Sequence, residues 1–456
     1  MESLKMPPEE AASPAELYPA HLEALRSRFD RALERGGYEG VLIASGPLSP
    51  WYEDDQSYPF KAYAWFKAWM PLVDVPDCFL HYVPGRRPVL VFHSPIDYWY
   101  KPPSAPQGYW TSHFDVEPVP DRAAARALLP QNLGDTVYLG PTFQELAGWG
   151  LKALNPPDLL RWIDYERAAK TPYELACLRE ASRLGARGHA AAARAFADGA
   201  TEFDIQLAFL EACGLREQEL PYNTIIALNE GAAVLHYQVL ERRAPPERNS
   251  LLIDAGAEFA GYASDITRTH SFADSDFAAL IRHFDDVQQS LCASVHAGID
   301  WRDVHLSAHR LVAELLHEAD IISCDAEEAV DTGVSSVFMP HGVGHLLGLQ
   351  VHDVGGFMRT ADGGEIPRPD GHPYLRLTRI LEPGFVVTME PGFYFIDQLL
   401  EAARHDARAS RINWSRVASL HKFGGIRVED DLAVTATGSE NLTRDAFGMI
   451  AAGDPP

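Results

Sequence analysis

Apolar positions recur along this chain in two rhythms, one of three to four residues and one of short unbroken runs. LYPAHLEALRSRFDRALERGG keeps the first rhythm and stops on two glycines, which predicts a helix. GVLIASG, CFLHYVP, RPVLVF and DTVYLG then keep the second, with helical stretches between them. Strands alternating with helices predict an α/β domain. NPPDLLRWIDYERAAKTP reads as a helical linker, after which Pro172 opens a new helix. The expected domains are therefore 1–165 and 166–456.

The second half is patterned differently. YELACLREASRLGARGHAAAARAFADG predicts a long helix stopped by Gly199. Thr201 caps the next, TEFDIQLAFLEACG, with Asp204 three residues on and Gly214 as the stop. DFAALIRHFDDVQQSLCASVHAG and WRDVHLSAHRLVAELLHEAD are two further amphipathic helices. Strand-like segments lie between and after them. This layout predicts an α+β domain whose helices cover a curved, mostly antiparallel sheet. No internal repeat is visible, and the Pro-containing tail is the one biased stretch.

Composition narrows the partners. With 456 residues the chain exceeds one typical core, and 46% apolar with 23% charged residues is ordinary for a globular protein. Subtracting 64 acidic from 39 basic side chains gives −25, a poor match for nucleic acid or an anionic membrane. The five cysteines are far apart and form no CxxC pair, as expected of reduced core residues in the cytoplasm. The start, MESLKMPPEEAAS, has no apolar core of a signal peptide, and no apolar run reaches the roughly 20 residues that span a bilayer.

Four acids interrupt stretches that otherwise read as buried strand. Asp254 and Asp265 flank the turn in IDAGAEFAGYASDITRT, Glu390 ends FVVTMEPG, and Glu429 lies in GGIRVEDDLAV. An unpaired buried carboxylate costs several kcal/mol, so something cationic has to compensate them, and two divalent ions would neutralise four charges. A turn role accounts equally well for Asp254 alone, and a solvated acidic edge for Asp430 and Asp431. HGVGHLLGLQVHD carries His341, His345 and His352 on a glycine-rich segment that is not an HExxH helix. One histidine with four carboxylates is a hard, oxygen-rich donor set suited to Mn²⁺ or a similar ion. Arg427 and Glu429, two apart, would share one face of a strand.

The order Asp, Asp, HxxxHxxxxxxH, Glu in MEPG and Glu in GGIRVED resembles the pita-bread metallopeptidases. Within that family, EDDQSYPFKAYAWFKAWMP, NTIIALNEGAAVLHYQ, YLRLTRILEPG and the INW segment before FGGIRVED resemble bacterial prolidases and the organophosphorus acid anhydrolases, over nearly the whole chain. AYAW after YPFK departs from their more polar sequence. The resemblance implies an α/β amino-terminal domain of the creatinase type that mediates dimerisation, followed by an α+β pita-bread catalytic domain of the creatinase/aminopeptidase type. The implied activity is hydrolysis of the Xaa-Pro bond in dipeptides, with two Mn²⁺ per subunit, Co²⁺ or another divalent ion substituting in vitro.

Further roles follow from the same resemblance. Asp254 would hold one metal, Asp265 and Glu429 would bridge both, and His345 and Glu390 would complete the second metal's shell. A water between two divalent cations is acidified enough to supply hydroxide near neutral pH, with Glu390 as general base. His236 and His352 match positions that contact the scissile carbonyl or the intermediate, and Arg427 supports the ligands. Arg376 matches the arginine that binds the free proline carboxylate, and His341 and Tyr222 border the substrate. Without the resemblance, Arg376 reads as a surface-loop residue. The segment with Asp54, Asp55 and Tyr58 either reaches a partner's active site in a homodimer or is an ordinary loop before a core helix. The alternatives are an aminopeptidase P acting on longer peptides and a binding module of the same fold without catalysis. Hydrolysis of organophosphate triesters would accompany either enzyme.

Overall fold

A β-branched run that follows a capped helix has to find pairing partners, and GVLIA finds one on each side. The computed structural model describes residues 12–452. The absence of a signal sequence, read from the first residues, and the biased Pro-containing tail concern stretches that fall largely outside them. Helix α1 (Pro14–Gly36) buries Leu22, Leu25, Phe29 and Leu33 on one face and stops where Gly37 turns left-handed at φ 64°. Strands β1 (Gly40–Ala44), β2 (Phe79–Tyr82), β3 (Val89–His93), β4 (Asp115–Val119), β5 (Thr136–Leu139) and β6 (Ala153–Leu154) form one mixed sheet in the order 4-3-2-1-5-6. Strand β1 pairs antiparallel with β2 and parallel with β5. The sequence pattern misses β4, which is mostly exposed and contains Pro118, and β6, which is two residues long.

Helix α2 (Ala64–Trp69) is buried at all six positions, and Trp65 and Trp69 meet Phe29 at ring-centroid distances of 5.5 and 5.1 Å. Asp54, Asp55 and Tyr58 lie in the loop before it, with Tyr58 exposed. One compact unit runs to Ile163 and includes Thr171–Cys177; the other comprises Asp164–Lys170 and the residues from Leu178 on.

In the second unit the helix that the Thr201 and Gly214 signals predict has both ends set locally. Helix α6 is preceded by α3 (Arg122–Leu128), α4 (Pro157–Arg167) and α5 (Pro172–Ala197) along the chain and spans Glu202–Cys213. Its cap Thr201 accepts from the Asp204 amide at 3.1 Å, and Gly214 stops it at φ 68°. Strands β7 (Ile225–Leu228), β8 (Ser250–Asp254) and β11 (Thr267–Ser271) form an antiparallel sheet, with the short pair β9 (Glu258–Phe259) and β10 (Tyr262–Ala263) in the loop between the last two. Helices α7 (Asp276–Ser294) and α8 (Trp301–Glu318) follow. Along α8 the buried positions Trp301, Val304, His305, Ala308, His309, Val312, Leu315 and Leu316 keep the helical period, with two histidines among the apolar residues.

The remaining strands complete the antiparallel pattern. After the hairpin β12 (Met358–Thr360) and β13 (Gly363–Glu365), strands β14 (Val386–Met389) and β15 (Gly392–Tyr394) pair with β17 (Asp430–Val434) and β16 (Gly425–Arg427) respectively, and β18 (Ser439–Asn441) covers β17. The chain breaks its ladder at Val428–Glu429, so Arg427 and Glu429 do not sit on one continuous strand. Asp430 and Asp431 are not a solvated edge. Both are fully buried, because β17 lies between β14 and β18 rather than at a margin. Arg268, Arg444, Asn441 and Gln288 all donate to the Asp430 carboxylate, while Ser182 and the Asp265 amide donate to Asp431. No described helix is long and apolar enough to cross a membrane, and all five cysteines are buried and outside any disulfide.

Buried neutral histidines give this fold an acid limit. His189 on α5 is 1% exposed and donates from Nε2 to the Ala255 carbonyl at 2.9 Å. Burial pushes its pKa from 6.5 down to about 3. The unfolded ring therefore takes up its proton first, and stability present above pH 6.5 is lost as pH falls towards 3. The loss from this ring reaches about 2 kcal/mol near pH 5. Denaturant unfolding at neutral pH and near pH 5 measures it, and His189→Gln, which keeps the donor but does not titrate, is expected to flatten the dependence. An unchanged slope would remove His189 as a cause.

Candidate active site

Antiparallel register brings the separate acids together. Asp254 ends β8 opposite Thr267, two residues beyond Asp265, and Thr267 also bridges to Glu429. Met389 pairs with Asp430, so Glu390, one residue after Met389, and Glu429, one before Asp430, leave the ladder side by side. The glycine-rich segment supplies His345. A Cβ at Gly344 would lie 2.0 Å from the Thr388 carbonyl oxygen, so the segment can run against β14 only with glycine there.

The donor atoms converge in a small volume. Atoms of Asp265, His345 and Glu429 all lie within 4.8 Å of one another. His345 Nε2 is 3.4 Å from Asp265 Oδ2 and 3.7 Å from Glu390 Oε1. Its Nδ1 is 3.0 Å from the Leu346 carbonyl, which fixes the proton on that nitrogen and leaves Nε2 as the donor atom facing the acids. Asp265, His345 and Glu429 are 5%, 3% and 2% exposed.

Charge is poorly balanced there by protein alone. Among the described residues, the cationic side chain bonded to these acids is Arg427: Nη2 donates to Asp254 Oδ2 at 2.6 Å, Nη1 to Tyr394 Oη at 2.8 Å and Nε to Thr267 Oγ1 at 3.1 Å. Thr267 Oγ1 donates in turn to Glu429 Oε2 at 2.6 Å. Burial pushes the Glu390 carboxyl up to about 7, with Asp265 and Asp254 adding to the rise and His345 and Arg427 opposing it. Burial and the neighbouring acids likewise raise Asp254 and, well above the usual range, Glu429. His345 is shifted up despite its burial, because the Asp265 hydrogen bond and the charges of Glu390 and Asp265 outweigh desolvation. Four carboxylates, one imidazole and one guanidinium packed this way fit divalent cations, which supply the positive charge the protein lacks and accept oxygen donors with one nitrogen.

A cavity of about 930 Å³ opens onto this cluster, and all eleven residues singled out from the sequence line it. His352 packs its ring on His345 with centroids 4.4 Å apart and is lowered to about 4 mainly by burial. His341 Nε2 lies 3.0 Å from Tyr394 Oη, and His236 and Arg376 are exposed on the wall. Tyr222, expected against substrate, also donates to Asp254 Oδ1 at 2.8 Å and so holds an acid in place. The pattern passed over Thr267 and Tyr394. Thr267 was findable, since in DITRT it stands two residues from Asp265 and so shares its face. Tyr394 lies in an aromatic run, GFYF, in which nothing marks one ring from the next.

Known proteins carry the same architecture. The model of an Xaa-Pro dipeptidase amino-terminal domain matches residues 16–165, and that of metallopeptidase family M24 matches 176–436. An Xaa-Pro dipeptidase of Stenotrophomonas maltophilia is 47% identical over 435 residues, spanning 95% of this chain and 98% of the relative. One from Xanthomonas campestris is 49% identical over 432 residues, spanning 94% and 98%. The structure of aminopeptidase PepP from Pseudomonas aeruginosa superposes with a TM-score of 0.70 at 22% identity, covering 97% of this chain and 99% of that one. The chain belongs to metallopeptidase family M24 and carries the amino-terminal domain type of its Xaa-Pro dipeptidases. It is a divalent-metal peptidase whose α/β amino-terminal domain precedes a pita-bread catalytic domain.

Proposed function

We propose that this protein is a prolidase that hydrolyses the Xaa-Pro bond of dipeptides and releases free proline. The observation that carries this reading is the convergence of Asp254, Asp265, His345, Glu390 and Glu429 at one wall of a cavity that Arg376 also lines. The near full-length similarity to proteins named Xaa-Pro dipeptidase supports it.

In this reading the catalytic domain is 166–456, after an amino-terminal domain of 1–165. Asp254 would hold one divalent ion, Asp265 and Glu429 would serve both, and His345 and Glu390 would complete the set around the second. Two Mn²⁺ ions would supply Lewis acidity toward the scissile carbonyl and the attacking water. The chain's own residues do the rest. Glu390 accepts the proton of the attacking water and passes it toward the leaving proline nitrogen. His236 and His352 hydrogen-bond the carbonyl oxygen as its charge grows. Arg427 holds Asp254 through a guanidinium that Tyr394 and Thr267 fix in direction. The buried thiols are consistent with action in the cytoplasm.

Arg376 gives the reading its substrate length. A dipeptide presents a free proline carboxylate one residue from the scissile bond, where a longer peptide presents an amide. A bidentate guanidinium contact rewards only the carboxylate. Losing it costs about 2–5 kcal/mol, roughly tens to thousands-fold in rate. Ala-Pro is expected to be hydrolysed far faster than a tripeptide Ala-Pro-Xaa by Mn²⁺-loaded protein. Arg376→Ala should lower kcat/KM for Ala-Pro much more than for a neutral organophosphate triester, the second substrate we assign to the site. Equal turnover of both peptides would favour an aminopeptidase P, and equal losses on both substrate classes would make Arg376 a support of the site.

Metal counting tests the shared carboxylates. Equilibrium dialysis of chelated protein against Mn²⁺ should approach two equivalents per chain, and Asp265→Ala or Glu429→Ala should lose at least one. Saturation at a single equivalent with full activity would exclude the sharing.

We also infer a homodimer, with Asp54, Asp55 and Tyr58 as the segment offered to the partner. The exposure of Tyr58 supports this. Sedimentation at micromolar concentration checks it, and a fully active monomer would end it.

A further inference from the structure

A second donor cluster lies in the catalytic domain, apart from the carboxylate site, and the assigned chemistry uses none of it. His305 and His309 stand four residues apart on the buried face of α8, where the helical period calls for apolar side chains. Each is 1% exposed. His372, on the segment that runs from β13 towards Arg376, brings a third ring. The three ring centroids are 4.5–4.7 Å apart, and one nitrogen of each ring lies within 4.8 Å of one nitrogen of each other ring.

The hydrogen bonding of the trio is incomplete. His305 Nε2 is 2.9 Å from His372 Nδ1, and the two share a single hydrogen bond. His305 Nδ1 has no partner, although the ring is buried. His309 Nδ1 is 3.0 Å from Ser335 Oγ, itself buried, which leaves Nε2 of that ring unassigned. A core of this kind costs stability: three imidazoles replace apolar groups, and their polar atoms are not all satisfied. Burial also disfavours the imidazolium at each ring. Neutral imidazole is the form that donates a lone pair to a metal.

We propose that His305, His309 and His372 form a second metal site, for Zn²⁺ or a similar borderline transition ion, that ties the segment preceding Arg376 to helix α8. Three nitrogens meet a tetrahedral ion at about 2.0–2.1 Å, which sets ligand atoms roughly 3.4 Å apart. The His305–His372 nitrogens are 2.9 Å apart and no pair of the three need exceed 4.8 Å, so ring movements of about an ångström suffice. The contact of His309 with Ser335 is the outer hydrogen bond that orients a ligating imidazole. The donor set is all nitrogen, unlike the oxygen-rich catalytic cluster, and so discriminates between ions. Mn²⁺ sits at the weak end of the divalent series for such donors and Zn²⁺ near the strong end.

That contrast provides the test. Chelated full-length protein is dialysed against Zn²⁺ and, separately, against Mn²⁺, and the bound metal is counted. Zn²⁺ should exceed Mn²⁺ by one equivalent per chain. His305→Ala and His372→Asn should each abolish the excess while leaving the Mn²⁺ count unchanged. The readout is a difference, so it does not depend on how many ions the carboxylate site holds, and it stands apart from the dipeptidase reading. The Mn²⁺ count reports folding; if His305→Ala loses it, His372→Asn on the partly exposed segment decides. X-ray absorption at the zinc edge, on protein loaded with Mn²⁺ and then given one equivalent of Zn²⁺, should show a shell of imidazole nitrogens. Equal Zn²⁺ counts in wild type and His372→Asn, or an oxygen-dominated shell, would overturn the site.

Discussion

The constraint on which the catalytic domain depends is the confinement of four carboxylates around one guanidinium. Arg427 reaches Asp254 directly and Glu429 through Thr267, while Tyr394 holds its remaining nitrogen. One cation cannot balance four buried acids, so the protein either keeps protons on them or takes up divalent ions. The upward shifts at Asp254, Glu390 and Glu429 are the signature of the first state. A site that is costly to leave without cations binds them strongly, because ion binding relieves a penalty already built into the fold.

Nearby, buried acids of the same type have the opposite fate. Asp430 is surrounded by Arg268, Arg444, Asn441 and Gln288, and its carboxyl is held at about 2 against the pull of burial. Asp353 is likewise held below the usual range by Arg167 and Lys170. These acids have their charge balanced by protein cations. What keeps Asp430 and Asp353 ionised is therefore a pair of cationic donors on each, where Asp254 has, among the described residues, Arg427 alone, and not a difference in burial.

That difference explains what could be read from the sequence. Asp254, Asp265, Glu390 and Glu429 each break an apolar run, and Gly344 marks the close approach that admits His345, so most of the cluster is visible as a violation of strand patterning. Asp430 and Asp431 break the same kind of run and were read as an exposed edge, because whether a strand is central or marginal depends on β14 and β18, whose pairing is not written in RVEDD. The amino-terminal strands are legible where apolar runs are unbroken, in β1, β2, β3 and β5. Strand β4 was hidden by its exposed charges and Pro118. Thr267 and Tyr394 fell outside the reading because a hydroxyl carries no charge to betray its burial.

The pairing of Met389 with Asp430 has a further consequence. Glu390 and Glu429 flank that pair on the same side of the ladder, and side chains on a strand alternate between two faces. A slip of one residue between β14 and β17 would keep nearly every backbone hydrogen bond yet turn the two acids away from each other. Strand register in this domain is thus a measuring device with single-residue tolerance. An insertion in the turn between β12 and β13 leaves that register untouched, but one inside β14 or β17 would produce a folded protein with its acids facing the wrong way.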